Sequence, residues 1–228
     1  MQSGAVNRRA ALGLMSTGLA LGAGISPAFA ALNALTSVQF DDPVIEKFYS
    51  AREFATLWTG QGDGARRKAA LQAFDTASDH GLPVARYDAK ALRQAFGSAQ
   101  TEADLGRLEV AMTTALLAYA RDMSSGVLTP IKVDDGIQRK ILRPDPEAIL
   151  AQAEAPDFAA WLKSLVPSTP VYSRLMAEKI ALEELVTKGG YGPALTAEEI
   201  KPEASTADII ALRDRLIALG YLDRSFSQ

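Results

Sequence analysis

Cysteine is absent from the 228 residues, and histidine occurs once, at His80. The first absence excludes a disulfide framework, thiolate ligation of a metal and a cysteine nucleophile. The two scarcities together leave carboxylates as the only ligand set for a metal, so no metal-binding, cofactor-binding or catalytic residue is assigned. Aromatic residues are 7% of the chain, so leucine and alanine must carry much of the packing. Past the first thirty residues no run is long and apolar enough to span a bilayer. Blocks of like charge are missing too. Arg66, Arg67 and Lys68 form a short basic run that reads as a solvated helix face. The net charge of −3 argues against broad electrostatic binding of nucleic acid.

What is present begins with a leader. Arg8 and Arg9 stand just before an uncharged run, Leu12 to Phe29, rich in alanine, glycine and leucine. Ala28-Phe29-Ala30 is a small-residue cleavage site. The order predicts a cleavable signal peptide over residues 1–30, of twin-arginine type, with the mature chain beginning near Ala31 and holding no membrane segment. Because the leader carries two arginines and no acid, the mature chain is more acidic than the whole.

The mature chain reads as mainly α, a set of helices with short irregular connections. Asp42-Pro43 caps a first helix whose stripe is Val44, Phe48, Ala51, Ala55 and Trp58, widened by Phe54 and Leu57. A break at 60–64 leads to a second helix from Ala65 to His80, with Leu71, Phe74 and Ala77 inward. Gly81-Leu82-Pro83 reads as its stop. Asp88 caps a third helix through Leu92 and Phe96, closed by Gly97. Thr101 to Asp104 resembles a capping box. It opens the strongest helix, with Leu105, Leu108, Met112, Leu116, Tyr119 and Met123 on one face and Gly126 at its end.

Residues 127–143 read as irregular, with a small hairpin turning at Asp135-Gly136. Asp145-Pro146 opens another helix, and Phe158, Trp161 and Leu162 mark a short one. Thr169-Pro170 caps a long one with Tyr172, Leu175, Leu182 and Val186 on one side and Gly189-Gly190 as its stop. Residues 192–204 read as a linker. Ser205 to Asp208 then opens a last helix with Ile209, Leu212, Leu216 and Leu219 on one side, closed by Gly220-Tyr221. One amphipathic helix cannot bury its own stripe. It either packs on the preceding domain, 31–191, or begins a second, incomplete unit over 205–228; the linker favours the second.

Chemistry is sparse in this pattern. His80 sits near a helix C-terminus, where the macrodipole favours a cation, which is a structural reason for it. The pairs Glu183-Glu184 and Glu198-Glu199 read as solvated. Gly60 to Gly64 follows a helix rather than a strand and reads as a loop, not a phosphate cradle. Asp134-Asp135-Gly136 lacks the spaced ligands of a calcium loop and reads as a turn. Trp58, Tyr87, Trp161 and Tyr191 could stack on sugars but more often such residues plug a helical core.

An ordered set of motifs resembles the scaffold domain of large Gram-negative murein L,D-transpeptidases. Phe48-Tyr49, Arg52, Phe54, Leu57-Trp58 and Gly60 are similar to its opening. Leu71, Ala77 and the stretch Gly81-Leu82-Pro83 to Tyr87 follow. Thr113 to Tyr119, Arg121-Asp122, Gly126 and Pro130 are similar to its central helix. Tyr172 to Leu175 and Gly189-Gly190-Tyr191 resemble the stretch before a peptidoglycan-binding module, with Tyr191 where the family usually has tryptophan. Ala211-Leu212-Arg213, Arg215-Leu216 and Gly220 look like that module's first helix.

The resemblance implies a multi-helix scaffold domain followed by the start of a truncated peptidoglycan-binding-like module. It also implies a periplasmic place in peptidoglycan cross-linking and cell-wall remodelling. In that family a cysteine in a separate C-terminal domain attacks the stem peptide, so this chain is expected to be the non-catalytic part, lacking its C-terminal catalytic domain. The alternative is a stand-alone exported helical module that binds peptidoglycan or a partner protein. An unrelated exported enzyme using carboxylates or His80 ranks below both.

Overall fold

The computed structural model describes residues 35, 36, 38–192, 194, 195, 199–201 and 205–227. The predicted leader, with Arg8, Arg9, Ala28 and Ala30, lies outside the described residues. So do residues 193, 196–198 and 202–204 of the expected linker, Glu198 among them.

The helices start where short polar side chains and prolines satisfy their first turns. Asp42 Oδ1 accepts from Val44 N at 2.8 Å and opens α1 (Pro43–Ala51). Helix α2 (Gly64–Asp75) runs on into a 3-10 segment, Thr76–His80, so the second helix was read with nearly the right span. Gly81 stops it at φ 73°, and Leu82 N donates to Ala77 O at 3.0 Å. The left-handed backbone there is cheap only for glycine.

Asp88 accepts from Ala91 N at 2.9 Å at the head of α3 (Ala89–Ser98), in which Gly97 is internal rather than terminal. The capping box is made: Asp104 N donates to Thr101 Oγ1 at 3.1 Å and Thr101 N donates to Asp104 Oδ2 at 3.0 Å. It opens α4 (Glu102–Ser125). After α5 (Pro130–Val133) come α6 (Pro146–Glu154), α7 (Phe158–Ser164), α8 (Pro170–Thr187) and α9 (Thr206–Ala218). Among the described residues there is no strand, and the mainly α architecture is the one expected.

Helix α4 is the spine. Its 24 residues extend about 36 Å. Leu108, Met112, Leu116, Tyr119 and Met123 are buried along it as the periodicity predicts, with Leu105 half-buried at the start. The spine packs against α3, α6 and α1; α2 packs against α3 and α7; α6 joins α1 and α7. Trp58 and Phe158 meet edge to face at 5.8 Å between ring centres, while Phe74, Tyr87 and Tyr119 form one aromatic group at 5.5–6.0 Å. Each such pair adds about 0.5–1.5 kcal/mol beyond its buried area.

Besides the place of Gly97, four expectations need correction. The stripe read along the first helix is wrong: α1 ends at Ala51, its buried residues are Ile45 and Tyr49, and Ala51 and Ala55 are exposed. The cause is local, since Glu53 (φ 53°) and Phe54 (φ 59°) are left-handed and turn the chain off the helix axis. Asp135-Gly136 does turn the chain, but no hairpin forms, because the residues before it make α5 instead. Arg66 and Arg67 are half-buried rather than solvated; Lys68 alone is exposed. Finally, α8 buries none of its stripe: Leu175, Leu182 and Val186 are 58%, 50% and 72% exposed.

Candidate functional site

The most densely bonded site is on α4, at Glu109, a side chain with no exposed surface. The turn made by Glu53 and Phe54 lays residues 56–59 against it. Trp58 N and Thr59 N donate to Glu109 Oε1 at 2.9 and 2.6 Å, and Thr59 Oγ1 donates to the same oxygen at 2.7 Å. Leu57 N and Tyr49 OH donate to Oε2 at 2.9 and 2.8 Å. Five donors therefore converge on one carboxylate. Burial without them would cost several kcal/mol, on the order of the desolvation of a charged group.

Thr113, one turn further along, orders the neighbouring protons. Trp58 Nε1 donates to Thr113 Oγ1 at 2.9 Å. Tyr49 OH donates its one hydrogen bond to Glu109, so the Thr113 hydroxyl, 2.7 Å away, donates to the phenol oxygen. Burial and the adjacent Glu109 charge hold the Tyr49 phenol well above its usual pKa.

The carbonyls of the same segment are held from the other side. Arg52 Nη2 donates to Thr56 O at 3.0 Å, Arg66 Nη1 to Leu57 O at 3.3 Å and Arg67 Nη1 to Trp58 O at 2.8 Å. Arg52 also pairs with Glu154 at 2.8 Å, which ties α1 to α6. Asp63 closes the end of the segment, accepting from Gly60 N at 2.9 Å and pairing with Arg66 at 3.0 Å. A Cβ on Gly60 would lie 2.7 Å from both Asp63 Oδ2 and Thr56 Oγ1, so the glycine is there for space. Residues 60–64 are thus a structural corner rather than a free loop.

A second buried carboxylate lies about 20 Å further along α4 by the helical rise. Asp122 Oδ2 accepts from Tyr87 OH at 2.9 Å and forms an ion pair with Arg86, whose Nε lies 2.9 Å away, and Oδ1 accepts from Arg121 Nε at 3.2 Å. Burial first, then the bond to Asp122, pushes the Tyr87 phenol upward. Gly126 at φ 78° ends the helix just beyond.

His80 meets neither carboxylate. Its Nδ1 lies 2.7 Å from Tyr172 OH, with the rings stacked at 6.3 Å between centres. The contact brings α8 to the end of the α2 unit, beside a cavity of about 320 Å³ that Gln72, Thr76, Tyr119 and Lys163 also line. His80 is therefore a docking point for α8. A larger open groove, about 560 Å³, runs between α3 and α4; alanines 91, 95, 111, 115 and 118 line it, and Arg86 and Arg107 border it.

Of the residues considered from the sequence, Trp58 and Tyr87 are core, and Trp161 packs half-buried on Phe158 at 5.7 Å. Tyr191 is half-buried. Glu183 and Glu184 are exposed and pair with Lys179 and Lys188. Periodicity alone missed Glu109, Thr113 and Asp122. A signal for the first was present: Glu109 stands four residues after Leu105 and three before Met112, so it shares their inward face. A charge on that face requires buried donors.

A family model described as a Scaffold domain matches residues 43–178, from the first residue of α1 to the middle of α8. No curated protein and no solved structure matches the chain. The matched span covers more than half of the sequence and includes both buried carboxylates with the loops that they hold, and the chain belongs to the Scaffold domain family.

Proposed function

We propose that this domain is the non-catalytic scaffold portion of a periplasmic L,D-transpeptidase, acting in peptidoglycan cross-linking and cell-wall remodelling. One observation carries the reading. Within the matched span, several residues whose order resembles the L,D-transpeptidase scaffold hold this fold together: Tyr49, Trp58, Thr113, Tyr119, Asp122, Tyr87 and Gly126. The absence of cysteine from the chain means that the family's nucleophile must come from another segment or another polypeptide.

The reading also takes residues 1–30 as an export leader and 205–228 as the start of a peptidoglycan-binding-like module. Deletion of the gene followed by muropeptide analysis tests it. Loss of L,D cross-links is expected, with restoration by the full reading frame. Unchanged cross-link composition in the deletion strain would overturn it.

A second reading, a module that binds peptidoglycan by itself, is supported by the groove between α3 and α4. Its alanine floor fits small side chains, and Arg107 at its border, exposed and paired with Asp104 of the same groove, is the cation nearest to hand for a carboxylate, Arg86 being held by Asp122. Sedimentation with purified sacculi distinguishes the two. Retention that Arg107→Glu abolishes, in a strain whose cross-links do not change on deletion, would favour this reading.

A further inference from the structure

Helix α8 turns Tyr172 toward His80 and buries none of its residues. Val171, at 59% exposed, is as open as Leu175, Leu182 and Val186. With Glu178 and Lys179 these four fall within an arc of about 100° on the helix surface. Among the described residues, the groove along Leu175, Glu178, Lys179, Leu182 and Val186 is walled by α8 alone. A contiguous apolar face left open to water marks a contact surface.

The apolar residues of this stripe read the same from either end, and the charges reverse. Val171 and Val186, Leu175 and Leu182, and Glu178 and Lys179 are each placed symmetrically about the peptide bond between Glu178 and Lys179. A helix with such a stripe can pack on its own copy run the other way, about a two-fold axis at that bond. Valine then lies level with valine and leucine with leucine, over about 22 Å of helix. Beside the axis, Glu178 of each copy meets Lys179 of the other. Glu178 is exposed and has no ion-pair partner among the described residues, while Lys179 pairs with Glu183 on its own helix. The carboxylate in the middle of the apolar stripe thus finds its cation in a second copy. Contact with a foreign segment needs no such symmetry; an isologous contact requires it.

We propose that α8 is a self-association face, pairing antiparallel with α8 of a second copy of this chain. Val171, Leu175, Leu182 and Val186 supply the apolar contact, and the central exchange of Glu178 and Lys179 sets the register. The proposal does not depend on the function proposed above.

The test uses the whole chain, whose lack of cysteine leaves single cysteines free to report position. Sedimentation velocity should show a monomer–dimer equilibrium. Glu178→Lys and Lys179→Glu should each weaken it about tenfold, because each brings like charges together twice. An equimolar mixture of the two variants should dimerise at least as well as the parent, since every Glu then meets a Lys. Ile180→Ser removes a comparably exposed residue away from the stripe and should leave the equilibrium unchanged. Under mild oxidation, Val171→Cys mixed with Val186→Cys should form a disulfide between copies, while neither variant links to itself. Circular dichroism should be native for every variant. A chain that stays monomeric at sub-millimolar concentration, reversals that have no effect or that mixing does not rescue, an equal loss with Ile180→Ser, or self-linkage of either cysteine variant would each overturn the proposal. So would amide protection of α8 that does not change with concentration, because another segment of the same chain would then cover the stripe.

Discussion

Glu109 Oε1 lies 2.9 Å from the backbone nitrogen of Trp58, and the indole nitrogen of the same tryptophan lies 2.9 Å from Thr113 Oγ1, one turn along the same helix. One residue of a connecting segment is thus gripped twice by α4, once by its main chain and once by its ring. The relationship explains how a segment with no helical bonds of its own can be fully buried at Leu57 and Trp58. The amides of Leu57, Trp58 and Thr59 are met by the carboxylate, and the carbonyls of Thr56, Leu57 and Trp58 by arginines.

Removal of that carboxylate should therefore be severe. Glu109→Ala strands three backbone N–H groups and two hydroxyls in the core, and a loss of about 3–5 kcal/mol is expected. Glu109→Gln keeps the volume and one acceptor oxygen and should cost roughly half as much. Urea unfolding followed by tryptophan fluorescence measures both. A Glu109→Ala variant within about 1 kcal/mol of the parent would mean that the clamp contributes little.

The glycines of the corner should respond differently from one another. Gly60→Ala forces a methyl to 2.7 Å from Asp63 Oδ2 and Thr56 Oγ1, so a loss of about 1–3 kcal/mol is expected. Gly62→Ala meets nothing within 4 Å, and its effect should stay within about 0.5 kcal/mol. Thermal unfolding of the two variants side by side checks the contrast. Equal shifts in Tm would show that space at Gly60 is not the constraint.

Alkaline pH should loosen the fold. The Tyr49 and Tyr87 phenols are both raised, chiefly by burial, so the folded state keeps protons that the unfolded state gives up near pH 10. The stability linked to the two groups is fully present below that pH and is lost as pH rises above it. Burial raises the Tyr119 and Tyr172 phenols as well, so with four phenols the slope can reach about 5.4 kcal/mol per pH unit. Tyr87→Phe should lower the slope by about 1.4 kcal/mol per pH unit, the contribution of one phenol. Unfolding free energies that are flat between pH 9 and pH 12 would contradict the prediction.

The docking of α8 should depend on a single polar contact. His80 Nδ1 and Tyr172 OH are 2.7 Å apart, and none of the residues of α8 is buried. A double-mutant cycle with His80→Ala and Tyr172→Phe should give a coupling of about 0.5–1.5 kcal/mol. Either variant should also speed amide exchange in α8 while exchange in α4 is unchanged. Faster exchange in α4 as well would place the pair in the core rather than at its edge.

Much of this architecture was legible in the chain itself. Caps and helix stops are local events. Asp42, Asp88, Thr101, Asp145, Thr169 and Ser205 each find their acceptor role within three residues, so residue type and spacing were enough to place helix starts. The periodic face of α4 was equally readable, because a long helix repeats its burial every three or four residues.

Long-range pairing was not legible. The Glu109 clamp joins residues about fifty positions apart, and the Tyr87–Asp122 bond thirty-five. Nothing local tells a carboxylate on a helix whether it will meet water or a row of amides. The same holds for Arg66 and Arg67, whose partners exist only after the chain turns back. It holds too for the first helix, which stops short because left-handed Glu53 and Phe54 are stabilised by the core that they help to build. Local propensity and periodicity settled where most of the helices start, though not α5, which lies in a stretch that reads as irregular. The tertiary structure alone decided which polar groups are buried, because burial depends on what the rest of the fold brings to them.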